Sequence, residues 1–231
     1  GAVTQLTTVV GDLTDLGALD ADALVLSEAS FDPRSLVAGI VAVHRPSLSG
    51  LNRDLVFIGS TREGLVVGDQ GRIAQVVSNL IGNAVKHGAG DVTVTVDAEP
   101  AGGDRVLLDI TVRDQGPGLA PSDRVRLFEP FERGPGAEHV TGLGLGLSIA
   151  RRLARAMGGE LSAPIKPGEG AAFRLSLELP NGESPRGETR NARHLAVLLA
   201  EDDALSRQVL SALLRVEGCT VTEAPDGFVA L

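Results

Sequence analysis

Apolar residues change their spacing along this chain, and each change marks an element. Val3, Leu6, Val10, Leu13 and Leu16 recur at threes and fours, which predicts an amphipathic helix within residues 2 to 30. Asp32-Pro33 is a helix start, followed by Leu36, Val37, Ile40, Val41 and Val43, with an end expected near Pro46. Short strands are predicted at Leu55 to Ile58 and Leu65 to Val67. From Arg72 to His87, the positions Ile73, Val76, Val77, Leu80, Ile81, Ala84 and Val85 form a wide apolar helical face. Val92, Val94 and Val96 then alternate with polar partners, as do Val106, Leu108, Ile110 and Val112, predicting two antiparallel strands across a turn rich in Pro and Gly. A further helix is predicted from Gly146 to Met157, stopped by Gly158-Gly159. Phe173, Leu175, Leu177 and Leu179 form a last alternating strand.

Residues 180 to 194 hold almost nothing apolar and read as a linker. After it, Leu195 to Leu199 is a continuous apolar strand. Leu205, Val209, Leu213 and Val216 mark a helix, and Thr220 to Ala224 a second strand, the opening of a parallel βαβ unit.

With 231 residues and 43% hydrophobic positions, the chain suits one domain plus part of another. A net charge of -9 provides no footprint for duplex nucleic acid or anionic membrane, and nucleic acid is left out of the expected partners. The single cysteine, Cys219, forms no internal disulfide. No apolar run is long enough to span a membrane, so a cytoplasmic location is expected. The opening Gly1, without a signal-peptide pattern, predicts a piece cut from a longer protein.

Gln75, Asn79, Asn83 and Lys86 fall on one stripe of the helix at 72 to 87. Such a stripe is ordinarily a solvated face; alternatively, the amides suit a metal ion and the lysine suits phosphate oxygens. Asp114-Gln-Gly116-Pro-Gly118 follows a strand. It reads either as an ordinary turn or as a fixed carboxylate beside backbone that can approach a flat ligand. Gly142, Gly144 and Gly146 open a helix whose free N–H groups attract phosphate, with a flexible hinge as the alternative.

In this order, QVVSNLIGNAVKH, DQGPGL, LFEPFERG and TGLGLGLSIARRLARAMGGEL resemble the N, G1, F and G2 boxes of sensor histidine kinases. The resemblance implies an α/β two-layer sandwich of the Bergerat type over residues 31–180, binding ATP with Mg2+. It implies that Asn83, assisted by Asn79, holds Mg2+, that Lys86 contacts phosphate and that Asp114 accepts from the adenine amine. Gly116 and Gly118 would shape the base pocket, and Gly142, Gly144 and Gly146 would flank the triphosphate. Leu119 to Thr141 would be a lid held by Phe128 and Phe131, for which simple core packing is the competing reading. His87 ends the helix, where it caps or touches nucleotide. Hydrolytic members of the superfamily carry a glutamate where this chain has Asn79, so slow hydrolysis is expected.

Residues 1–30 resemble the end of a dimerisation and phosphotransfer helix. The family's phosphoacceptor histidine precedes Glu or Asp, and here His44, His87, His139 and His194 precede Arg, Gly, Val and Leu. After the linker at 181–194, residues 195–231 resemble the start of a response-regulator receiver, with Glu201 and Asp202 as its acidic Mg2+ pair and Asp203 beside them. Without that resemblance, a charged turn with Asp203 as helix cap is the simpler reading. The whole implies a fragment of a hybrid kinase whose parent, a homodimer, passes the ATP γ-phosphoryl group to a histidine and works with receiver domains. The alternatives are a Bergerat-fold ATPase and a degenerate nucleotide-binding scaffold. The receiver piece is expected to be mobile or to borrow a surface from its neighbour.

Overall fold

Asp32 starts the first long helix for a local reason. Its carboxylate accepts hydrogen bonds from the backbone N–H groups of Arg34 (3.1 Å) and Ser35 (3.2 Å), and Pro33 sits where a missing N–H costs nothing. In this computed structural model, which describes residues 17, 19, 24–59, 64–120, 126–130, 144–164, 170–182, 195–201, 204–216 and 218–225, that helix is α1, Pro33–Ser49. It runs past Pro46, where an end was expected. Near a helix end the proline forfeits one backbone bond without stopping the turn, and Leu48 is still drawn fully into the core.

The helix expected within residues 2 to 30 lies largely outside the described residues. Its last part is corrected: 24–28 is not helical, and Ala29–Phe31 forms strand β1, paired antiparallel with β3 (Leu65–Gly68). The Asp69 carboxylate ties this entering segment down. It accepts from the Ser27 N–H (2.9 Å) while capping α2, Gln70–His87, through the Arg72 N–H (2.9 Å).

The remaining elements are β2 (Leu55–Ile58), β4 (Val92–Gly102), β5 (Arg105–Arg113), α3 (Gly146–Ala156), β6 (Glu160–Ser162) and β7 (Ala172–Gly182). The strands form one sheet in the order β1-β3-β7-β5-β4-β2, with β6 on β7. Only β2 with β4 is parallel; the other pairs are antiparallel. Alternation decides the faces. Val94, Val96, Leu108, Ile110, Leu175 and Leu177 point inward and are buried beneath α1, α2 and α3. The opposite face is polar: Asp109 lies directly across from Ser176 and accepts from its hydroxyl and from the Arg174 guanidinium. Among the described residues, helices therefore cover one face only, giving two layers.

After the second connection, β8 (Ala196–Ala200) and β9 (Thr220–Ala224) pair in parallel around α4 (Ala204–Val216). Helix α4 rests on α1, where Leu213 packs against Gly39; a side-chain carbon on Gly39 would stand 2.8 Å from two Leu213 side-chain carbons. The βαβ unit borrows a neighbour's surface. Among the described residues no helix is long and apolar enough to cross a membrane.

Candidate functional site

The apolar face of α2 fixes where its polar stripe goes. Ile73, Val76, Val77, Leu80, Ile81 and Ala84 are sunk in the core, so Asn79 and Asn83 lie half-buried along one border, with Lys86 and His87 exposed in the last turn. Partial burial of the imidazole, and then the charge of neighbouring Lys86, lowers the His87 pKa.

The first turn of α3 faces Asn79. The Asn79 amide donates to the Gly146 carbonyl at 3.5 Å, and a side-chain carbon on Gly146 would stand only 3.6 Å from Asn79 Oδ1. Leu145 precedes the helix, and among the described residues no side chain caps it. The N–H groups of that first turn, at the positive end of the helix dipole, therefore lie beside Asn79. Gly144 adopts a φ of 72°, a conformation that suits glycine.

Asp114 directly follows β5 at the level of the other end of α2. Its side chain is buried, and its Oδ1 accepts from the Gly116 N–H (2.7 Å) and the Ala171 N–H (3.4 Å). The backbone N–H of Asp114 donates to the Ala171 carbonyl, and that of Gln115 donates to the Ala89 carbonyl. Close approach on three sides demands glycine. A side-chain carbon on Gly116 would lie 2.8 Å from Asp114 Oδ1, one on Gly88 2.7 Å from the Asp114 carboxyl carbon, and one on Gly118, whose φ is 79°, 3.3 Å from the Gly170 carbonyl. Among the described residues, the carboxylate is therefore held in one orientation by backbone groups.

The structure thus brings Asn79 to Gly146 and places Asn83, Lys86 and His87 further along the same helix, toward Asp114, Gly116 and Gly118. Asn79 and Lys86 are about 10 Å apart along the axis at 1.5 Å per residue. Phe131, Gly142 and Asp202 lie outside the described residues, as does most of the expected lid. Phe128 is described, half-buried, with its ring edge-on to Phe173 at 6.4 Å and under the Arg151 guanidinium at 4.7 Å. Glu201 directly follows β8, its N–H bonded to the Ala224 carbonyl, and among the described residues no cluster of three metal-ligating side chains occurs.

Gly170 helps to seat the Asp114 loop and is not among the residues singled out in the sequence. Its φ is 80° and it packs directly on the Asp114 backbone. The run Gly168-Glu-Gly170, just before an alternating strand, was the available signal.

Residues 68–181 match the family of histidine kinase-, DNA gyrase B- and HSP90-like ATPases. Among curated proteins, the chain is similar to the sensor histidine kinase GacS of Pseudomonas protegens, 32% identical over 222 residues that cover 93% of this chain and 24% of that protein. It is also similar to the sensor protein TorS of Escherichia coli, 31% identical over 234 residues that cover 98% of this chain and 25% of TorS. The chain thus spans about a quarter of the length of these relatives. Among solved structures, full-length ShkA in complex with AMPPNP superposes with a TM-score of 0.65 at 29% identity, over 97% of this chain and 46% of that one. The histidine kinase AdeS of Acinetobacter baumannii gives 0.60 at 26% identity, over 77% of this chain and 80% of that one.

Proposed function

We propose that this chain, whose residues 68–181 match the family of histidine kinase-, DNA gyrase B- and HSP90-like ATPases, is the ATP-binding part of a hybrid sensor histidine kinase: it binds ATP with Mg2+ and, within a longer protein, directs the γ-phosphoryl group to a histidine. The observation that carries this reading is the arrangement along α2. A buried carboxylate held by backbone N–H groups sits at one end, and the N-terminus of α3 meets the Asn79 amide toward the other.

Each group has a role that suits its chemistry. Asp114 would accept a hydrogen bond from the exocyclic amine of adenine, with Gly116 and Gly118 leaving room for the ring. Asn83 and Asn79 offer neutral carbonyl oxygens suited to a hard cation, and Lys86 a mobile positive charge for phosphate oxygens. The first turn of α3, with Gly144 and Gly146, would receive phosphate on its N–H groups. Bound Mg2+ would supply charge neutralisation across the phosphates, which with positioning is most of what phosphoryl transfer requires. Nothing in the Asn79 amide can act as a general base toward water. The γ-phosphoryl group would therefore be retained until a histidine nitrogen displaces ADP. The histidine-bearing dimerisation helices of a homodimeric parent and response-regulator receivers are the proposed partners, and Glu201 with Asp202 the proposed acidic pair of a receiver's first strand.

Calorimetry of the chain with Mg2+ and ATP tests the reading. Binding that weakens by about tenfold or more in Asp114→Asn is expected, since the variant presents a donor toward another donor. Unchanged affinity would remove Asp114 from the base site. Phosphate release at about 1 per second or faster, abolished by Asn83→Ala, would favour an ATPase instead.

A further inference from the structure

We infer that Arg53, in the turn between α1 and β2, is a positioning residue that sets the spacing between the phosphate side and the base side of the site. Its half-buried guanidinium donates from Nη2 to the Ala84 carbonyl (3.0 Å) and from Nη1 to the Val85 carbonyl (3.1 Å), while Nε donates to the Gly90 carbonyl. Two of these acceptors belong to the last turn of α2 and the third to the turn beyond it. One planar group therefore grips both sides of the helix end, where the C-terminal carbonyls gather negative charge and the Ala84 carbonyl also accepts from the Gly88 N–H (3.1 Å).

Both sides matter because of what they carry. The last turns of α2 bear Asn83 and Lys86. The turn at 88–91 is the seat of Asp114 and Gln115: Gly88 lies against the Asp114 carboxyl group, the Gln115 N–H donates to the Ala89 carbonyl (2.9 Å), and the Asp91 N–H donates to Gln115 Oε1 (3.2 Å). Gly90, at a φ of 59°, leaves no space for a side-chain carbon beside the Gln115 amide. The segment after Arg53 is fastened to the same turn, with the Asp54 N–H donating to Asp91 Oδ1 (2.8 Å) and the Val92 N–H to the Asp54 carbonyl (2.9 Å). A ligand that must reach Asp114 with one end and Lys86 with the other feels any slack between them, whereas a ligand reaching Asp114 alone does not.

This inference rests on the nucleotide reading of the site, and its test separates the two. The full chain is titrated with ATP plus Mg2+ and with adenosine, in wild type, Arg53→Ala and Arg53→Lys, with urea unfolding followed in parallel. The expected result is that Arg53→Ala reduces the preference for ATP over adenosine by about tenfold. Arg53→Lys keeps the charge and the stem but not the three-pronged grip. It should remain folded and still lose several-fold of that preference. A wild-type preference in Arg53→Lys, or in both variants whatever their stability, overturns the inference while leaving the nucleotide reading intact. Should Arg53→Ala not fold, Arg53→Lys decides alone. A wild-type chain that binds neither ligand overturns the reading and the inference together.

Discussion

A side-chain carbon on Gly170 would overlap the Asp114 carbonyl oxygen and stand 2.8 Å from its carbonyl carbon. The strand that begins at Ala172 is thereby pressed against the loop that carries the buried carboxylate, and the N–H of Ala171 reaches Asp114 Oδ1. Gly170→Ala meets two penalties at once: this overlap, and a φ of 80° that costs an L residue about 1–2 kcal/mol. We expect ATP affinity to fall by on the order of tenfold or more, with the stability loss confined to a few kcal/mol. Nucleotide titration beside urea unfolding checks this, and equal affinity in the variant would show that the Asp114 loop is set without Gly170.

The His44 imidazole introduces a pH dependence of stability. Its Nε2 is buried without a hydrogen-bond partner among the described residues, and burial lowers its pKa from the ordinary 6.5. The unfolded chain accepts a proton near 6.5 and the folded chain only at lower pH, so between the two values the unfolded state binds more protons. Stability is complete above about 6.5 and declines as the pH falls toward the folded pKa. His87 is shifted in the same direction. His44→Leu should therefore flatten, without abolishing, the fall in urea midpoint between pH 7.5 and 5.5. An unchanged slope would assign the effect elsewhere.

Phe128 is the described anchor of the segment expected to form a lid. Its ring meets the Phe173 ring edge-on at an interplanar angle of 88°, and the Arg151 guanidinium above it is itself held by Glu160 (2.8 Å). Burial of the aromatic ring outweighs the partly exposed cation in this arrangement: Phe128→Ala should cost about 2–3 kcal/mol, Arg151→Met less than about 1 kcal/mol. Limited proteolysis should accordingly cut residues 119–141 faster in Phe128→Ala than in Arg151→Met. The reverse order would make the guanidinium the anchor.

What the sequence made legible follows from how each feature is built. Long elements buried on one face, such as α2 and the strands β4, β5 and β7, carry their period in the sequence, and the polar stripe through Asn79, Asn83 and Lys86 comes with it. Strands β1 and β6, of three residues each, are too short to hold a period and exist because β3 and β7 offer them partners. Pro46 misled because a proline near a helix end removes one bond rather than the packing of Leu48. Arg53 was silent for another reason. Its partners are backbone carbonyls, which every residue possesses, so no residue type at any spacing announces them. Asp114 was visible through its glycines, although Gly88 and Gly170, which seat it from outside its own loop, were not.

The contact of Leu213 with Gly39 decides how the βαβ unit is held. Segments shorter than about 40 residues seldom sustain a core of their own, and this unit leaves Leu195 and Leu198 about half exposed, at 48% and 53%. Its internal bonds, Ser211 to Glu223 (2.6 Å) and Arg215 to Glu223 (3.0 Å), join α4 to β9 but bury little apolar surface. Among the described side chains of α4, Leu213 is the one packed against the core beneath α1. Leu213→Asp would place a carboxylate against that helix, where ionised groups are strongly disfavoured, and should undock the unit. Hydrogen exchange at 196–200 and 220–224 should accelerate to near the unprotected rate, while 106–112 and ATP affinity stay as in wild type. Gly39→Ala separates docking from helix stability, because alanine favours α1 by about 1 kcal/mol while its methyl group pushes on the Leu213 side chain. Greater overall stability with faster exchange at 196–200 is the expected pair of changes. Unchanged exchange in Leu213→Asp would mean that β8, α4 and β9 stand on their own.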